Sequence, residues 1–360
     1  MLSPCLVFWL HNKMGLFHVL FLLFVACEGK VKNVSVKAVF TFGDSIVDQG
    51  NNNHIITFAK CNFEPYGKDF MDGNKPTGRF SNAKTPSDLI VDELGIKELM
   101  PAYLDPNLQA EDLKTGVSFA SGGCGFDPQT AIIAAALPLS TQLDHFREYI
   151  GKLKELVGEE EANDILSNSL FLVVAGSDDL ANTYFTIGIR RLQYDLNAYT
   201  NLIVDGASDF VQGLYKLGAK NIAVFGIPPI GCLPAQRTLA GGLTRECATE
   251  YNQAAQIANT KLSAAINWLS KTLLQSKLAL IDLYNPVLDL IGNPQKHGFE
   301  VVDKGCCGTG TIEAVILCNK YSGTCEDDTK YLFWDSYHPT ERGYRILVDQ
   351  FLKKYIDILT

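Results

Sequence analysis

The chain has 360 residues, of which 47% are hydrophobic and 20% charged, a globular composition with enough apolar material for a full core, and this excludes a disordered chain. The formal net charge is -9, with acidic and basic residues mixed along the sequence; no cationic stripe is present to attract phosphates, and nucleic acid is excluded as a partner. No Pro/Ser-rich linker interrupts the sequence, so a single domain over residues 30–360 is expected.

The N-terminus reads as an export address. His11 and Lys13 precede an apolar run from Leu16 to Ala26, followed by Cys27, Glu28 and Gly29, the layout of a secretory signal peptide over residues 1–29. The run is too short to span a bilayer comfortably, and no later segment reads as membrane-spanning; a soluble, secreted, extracellular protein is expected. Asn33-Val34-Ser35 is a glycosylation sequon close to the expected cleavage point. Of ten cysteines, Cys5 and Cys27 fall in the leader or at its edge, leaving Cys61, Cys124, Cys232, Cys247, Cys306, Cys307, Cys318 and Cys325. This even set fits an oxidising compartment, and all eight are expected to be bridged. A zinc cluster from the four cysteines between 306 and 325 is the alternative, but adjacent Cys306 and Cys307 lack metal-ligand spacing and no histidine accompanies them.

Five short apolar runs read as strands: Ala38 to Phe42, Gly116 to Ala120, Leu170 to Ala175, Asn221 to Gly226, and Leu278 to Asp282. They show little polar alternation, as strands covered on both faces of a parallel sheet do. Helical patterns lie between and after them at Pro86 to Leu94, Leu139 to Val157, Tyr194 to Leu217, Thr249 to Leu274 and Glu341 to Ile358. Alternating strands and helices imply an α/β fold, a sandwich with helices on both faces of a five-stranded parallel sheet. Ligands bind beyond the carboxyl ends of strands in such folds. That directs attention to Gly43-Asp44-Ser45, Ser121-Gly122-Gly123 and Gly176-Ser177-Asp178-Asp179.

Ser45 follows the first strand through a tight turn, but a serine is a weak nucleophile without a base in reach. Beyond the leader the histidines are His54, His145, His297 and His338. His338 stands three residues after Asp335, a spacing at which a turn can aim the carboxylate at the second ring nitrogen. Read structurally, the same pair is a helix-entry cap and a packed surface histidine. No G-x-S-x-G elbow, G-x-G-x-x-G, P-loop or H-E-x-x-H is present, so the usual α/β-hydrolase layout, a nucleotide cofactor and a metal site all lack support.

The segment Phe42-Gly43-Asp44-Ser45-Ile46-Val47-Asp48-Gln49-Gly50-Asn51-Asn52-Asn53 resembles the first block of the plant GDSL esterase/lipase family, within the SGNH hydrolases. Further blocks follow in order at Pro76 to Asn82, Phe119 to Gly123, Gly226 to Pro234, Cys306-Cys307-Gly308 and Phe333 to Glu341, so the resemblance spans nearly the whole chain after the leader. Within the family it is most similar to the extracellular lipases. The resemblance implies a flavodoxin-like three-layer fold, Ser45 as nucleophile, His338 as general base and Asp335 orienting it, with no cofactor. It further implies an oxyanion hole from the backbone N–H of Ser45, that of Gly123 (with Gly122 the near alternative), and an asparagine side chain.

At that last position the family pattern Gly-x-Asn-Asp becomes Gly176-Ser177-Asp178-Asp179. An ionised Asp178 accepts hydrogen bonds and cannot donate one. It serves the oxyanion hole only if kept protonated, and burial beside Asp179 is expected to push it that way. The implied function is hydrolysis of small-molecule or lipid acyl esters. Acyl transfer to an alcohol, and a catalytically weak relative that binds acyl groups, are the competing readings.

Overall fold

The computed structural model describes residues 36–360 apart from 72 and 316. The expected leader, its two cysteines and the Asn33 sequon lie outside the described residues. In chain order the strands of the main sheet are β1 (Val39–Gly43), β2 (Leu170–Val174), β3 (Asn221–Phe225) and β4 (Lys277–Ile281), and β5 (Val301–Gly305) and β6 (Tyr331–Phe333) form a separate pair. The helices are α1 (Pro86–Glu93), α2 (Pro128–Ala134), α3 (Leu139–Val157), α4 (Glu159–Ser167), α5 (Leu196–Lys216), α6 (Pro234–Ala240), α7 (Thr249–Thr272), α8 (Tyr284–Gly292) and α9 (Glu341–Leu359). The five helices expected from periodicity, now α1, α3, α5, α7 and α9, agree to within two residues at either end. Among the described residues no helix is long and apolar enough to cross a membrane.

The main sheet is parallel throughout, in the order β1-β2-β3-β4. Successive strand residues point to opposite faces, and both faces are covered. Phe40, Phe42, Phe171 and Val224 pack with residues of α3, α5 and α7, whereas Val39, Leu172, Val174 and Phe225 pack with α1 and α9. This double burial is why the strands read as unbroken apolar runs.

The sheet has four strands and not five. The fifth expected strand, Gly116 to Ala120, pairs with β1 only through an isolated parallel bridge between Thr41 and Ser118. Its backbone groups are shared among several partners instead of forming one ladder. Val117 C=O and Phe119 N–H serve β1, Ser118 N–H donates to Pro101 C=O, and Ser118 C=O accepts from Tyr103 N–H and Asn51 Nδ2. The β5–β6 pair carried no recognisable apolar run and was not anticipated.

Cysteine pairing also departs from expectation. Cys232–Cys247, Cys306–Cys325 and Cys307–Cys318 are disulfides, while Cys61 and Cys124 are free and buried. The two thiols belong to different apolar clusters, Cys61 beside Tyr66 and Trp334 and Cys124 under the main sheet, so neither serves the other.

Candidate active site

Ser45 sits where β1 leaves the sheet. Gly43 has φ +124°, and a Cβ there would stand 1.7 Å from the Val174 carbonyl oxygen, so the turn requires glycine. Asp44 N–H then bonds Val174 C=O at 2.9 Å, and its Oδ1 accepts from Ile46 N–H at 3.0 Å, closing a local turn around Ser45. Asp48 ties this turn to the next loop. Its Oδ1 accepts from Gly50 and Asn51 N–H, both at 2.8 Å, and its Oδ2 from Gly122 N–H at 3.0 Å. Asn52 Nδ2 bonds Gly122 C=O at 2.9 Å and Asn51 Nδ2 bonds Ala120 C=O at 2.8 Å. The asparagine run of the first block is thus the clamp that sets the second.

Asp335 and His338 come from the segment between β6 and α9. His338 Nε2 lies 2.7 Å from Ser45 Oγ, and His338 Nδ1 lies 2.8 Å from Asp335 Oδ2 and 3.0 Å from Oδ1. Asp335 Oδ1 also accepts from the backbone N–H groups of Tyr337 and His338, at 2.8 and 2.7 Å, which holds the turn. The helix-entry cap is Thr340, whose Oγ1 accepts from Gly343 N–H, and His338 is only 6% exposed, with the Phe80 ring against it. The structural reading of the pair as a cap and a surface histidine therefore fails. Burial acts to raise the Asp335 pKa, but the charge of His338 and the hydrogen bonds from His338 and Tyr66 outweigh it and hold the carboxyl below its ordinary value.

Gly123 and Asp178 line the same cavity as Ser45 and His338. Gly122 N–H is taken by Asp48, and a Cβ at Gly122 would strike the Phe80 ring. Asp178 follows the Gly176 turn, and its Oδ1 accepts from Asn182 Nδ2 at 2.7 Å. Burial pushes its pKa up to about 6, against the opposing pull of His338 and Asn182. The neighbour expected to raise it, Asp179, is turned away. Asp179 accepts from Phe126 N–H, Asp127 N–H and Thr130 Oγ1, and the like charge near Asp178 is Asp44, itself held well above its ordinary value by burial first and Asp178 second.

The cavity measures about 340 Å³ and extends from these polar groups over the apolar side chains of Leu172, Val174, Phe225, Val348 and Phe351. Asn182, Tyr337 and Tyr66, which take part in the site's hydrogen bonding, carried no local sequence signal. Gln142, whose amide grips the end of β1, was findable as a polar residue on the apolar stripe of α3.

Residues 39–351 match the family model described as GDSL-like lipase/acylhydrolase. The chain is 51% identical over 355 residues to the GDSL esterase/lipase EXL3 of Arabidopsis thaliana, covering 98% of this chain and 97% of that protein. It is 47% identical over 339 residues to the GDSL esterase/lipase EXL2 of the same plant, covering 90% of this chain and 89% of that one. With an ordered set of motifs, a doubly covered parallel sheet and these relatives along its length, the chain belongs to the GDSL-like lipase/acylhydrolase family of carboxylic ester hydrolases.

Proposed function

We propose that this protein is a secreted esterase or lipase that cleaves acyl esters through an acyl-enzyme on Ser45. The observation that carries the reading is the unbroken contact from Ser45 Oγ to His338 Nε2 and from His338 Nδ1 to Asp335. His338 accepts the Ser45 proton as Oγ bonds the carbonyl carbon, and then gives that proton to the departing alcohol. Water, activated by the same nitrogen, releases the acid. Asp335 holds the ring and stabilises the imidazolium in between. Ser45 N–H, Gly123 N–H and a protonated Asp178 form the oxyanion hole, and the apolar arm of the cavity takes the acyl group.

A flavodoxin-like domain over residues 30–360, a leader over 1–29 and export complete the proposal; the three disulfides support the last. Asp178 favours a second reading, a weak relative that holds acyl groups without turning them over. An active-site phosphonate separates the two. Labelling of the wild type that is lost in Ser45→Ala, together with ester turnover lost in Ser45→Ala and His338→Ala, supports the hydrolase; an unlabelled wild type supports the binding protein. Product analysis with an added acceptor alcohol distinguishes acyl transfer, in which the alcohol replaces water on the acyl-enzyme.

A further inference from the structure

Asp335 accepts from three donors in its own turn, Tyr337 N–H, His338 N–H and His338 Nδ1, and from one donor far away in the chain. That donor is Tyr66, whose Oη stands 2.6 Å from Asp335 Oδ2. Tyr66 is wholly buried, with its ring edge-on to Phe63 and Trp334 and its hydroxyl near the Cys61 thiol. Its bond falls on the same oxygen that makes the shorter contact to His338 Nδ1. A phenol in that place draws charge away from Oδ2 and blocks rotation of the carboxylate about its last bond.

We propose, on the triad reading above, that Tyr66 is a positioning residue: it fixes the Oδ2 edge of Asp335, tempers the charge there, and so sets the pH at which His338 becomes a free base. Burial and the charge of Asp335 hold the Tyr66 hydroxyl well above its ordinary pKa, so it remains a donor at working pH. The other titratable groups around this chain of contacts are Cys61, Tyr337 and Tyr344 near Asp335, Asp178 facing His338, and Asp44 beside Asp178. The largest influences on Asp335 are its burial, His338 and the Tyr66 hydroxyl. The phenol is a neutral side chain that moderates the carboxylate directly.

The test is the pH dependence of kcat/KM for a short-chain nitrophenyl ester. Tyr66→Phe keeps the ring and removes the bond. The more concentrated charge on Asp335 then stabilises the imidazolium, so the acidic limb moves to higher pH, and kcat falls about tenfold with KM unchanged. Site-specific 3,5-difluorotyrosine at position 66, a stronger donor, moves the same limb to lower pH. Opposite displacements in the two proteins support the proposal. A limb that stays in place in both, with Ser45→Ala inactive, overturns it and leaves the triad standing; full activity in Ser45→Ala overturns both.

Discussion

Gln142 holds Gly43 by both of its backbone groups. Its Oε1 accepts from Gly43 N–H at 2.8 Å and its Nε2 donates to Gly43 C=O at 2.9 Å, although the two residues lie on different elements, α3 and β1. The strand end two residues before Ser45 is therefore fixed by a side chain as well as by its β2 neighbour Val174. Gln142→Leu keeps the volume but leaves the buried Gly43 N–H unpaired, while Gly43 C=O keeps Ser121 N–H at 2.9 Å, and roughly 1–3 kcal/mol of stability is lost. Thermal unfolding should show the loss, and kcat should fall more than KM rises because Ser45 loses its support.

Asp178 gives the reaction a distinctive pH profile. With its pKa raised to about 6, it is a hydrogen-bond donor below that pH and an acceptor above it, while His338 must be neutral to act as base. Turnover falls on the alkaline side as Asp178 ionises, which leaves a narrow, mildly acidic optimum. Asp178→Asn abolishes that fall and raises turnover near neutral pH by roughly 10- to 1000-fold, the scale of one oxyanion donor. An unchanged profile would place Asp178 outside the oxyanion hole.

Stability should also depend on pH. Burial raises Asp48 to about 6 and Asp179 to about 7, so both keep their protons in the folded state at pH values where the unfolded chain has released them. Their contribution is complete below their ordinary value of 3.8 and is lost as pH rises through 6 and 7. Asp335, held low, acts in the opposite sense and loses its contribution only as pH falls below the ordinary carboxylate range. The melting temperature is expected to be higher at pH 5 than at pH 8, by an amount equivalent to a few kcal/mol on the order of 1.4 per pKa unit. Calorimetry across that range measures it.

Thiol counting tests the cysteine assignment. A chain beginning at residue 30 should show two free thiols in denaturant without reductant, Cys61 and Cys124, and none in the folded state, since burial shields both and pushes their pKa values up. Reduction opens loops with sequence separations of 15, 19 and 11 residues. Each is worth about 3 kcal/mol, so the reduced protein melts well below the oxidised one.

How much of this was legible beforehand follows from which forces act locally. The apolar runs of β1 to β4 and the periodic stripes of α1, α3, α5, α7 and α9 are local patterns, and they matched the structure closely. Gly116 to Ala120 has the same apolar character, yet whether it forms a strand depends on where its N–H and C=O groups go, and Asn51, Pro101 and Tyr103 took several of them. Asp335 and His338 were readable as a pair because a three-residue turn joins them. Their meeting with Ser45 rested on resemblance, since no local rule brings together residues 293 positions apart. Tyr66 acts through such a distant meeting, and Asn182 joins the distant Tyr337 as well as its near neighbour Asp178; neither gave a sign in advance. The even number of cysteines suggested complete pairing, but two of them ended in separate cores.

On the proposed triad, that separation of 293 positions also governs when the protein can first act. Ser45 is made early and His338 only near the end of synthesis, and the turn that carries His338 is tied to the first hundred residues by Ser81 bonding Pro339 C=O and by Asn82 bonding Glu341 N–H. A nascent chain that has exposed its serine still lacks its base until the C-terminal helix has closed against the N-terminal third. With that triad, incomplete, truncated or half-folded copies are expected to be inert toward esters, and hydrolysis is expected to report that the last twenty-odd residues have found their place.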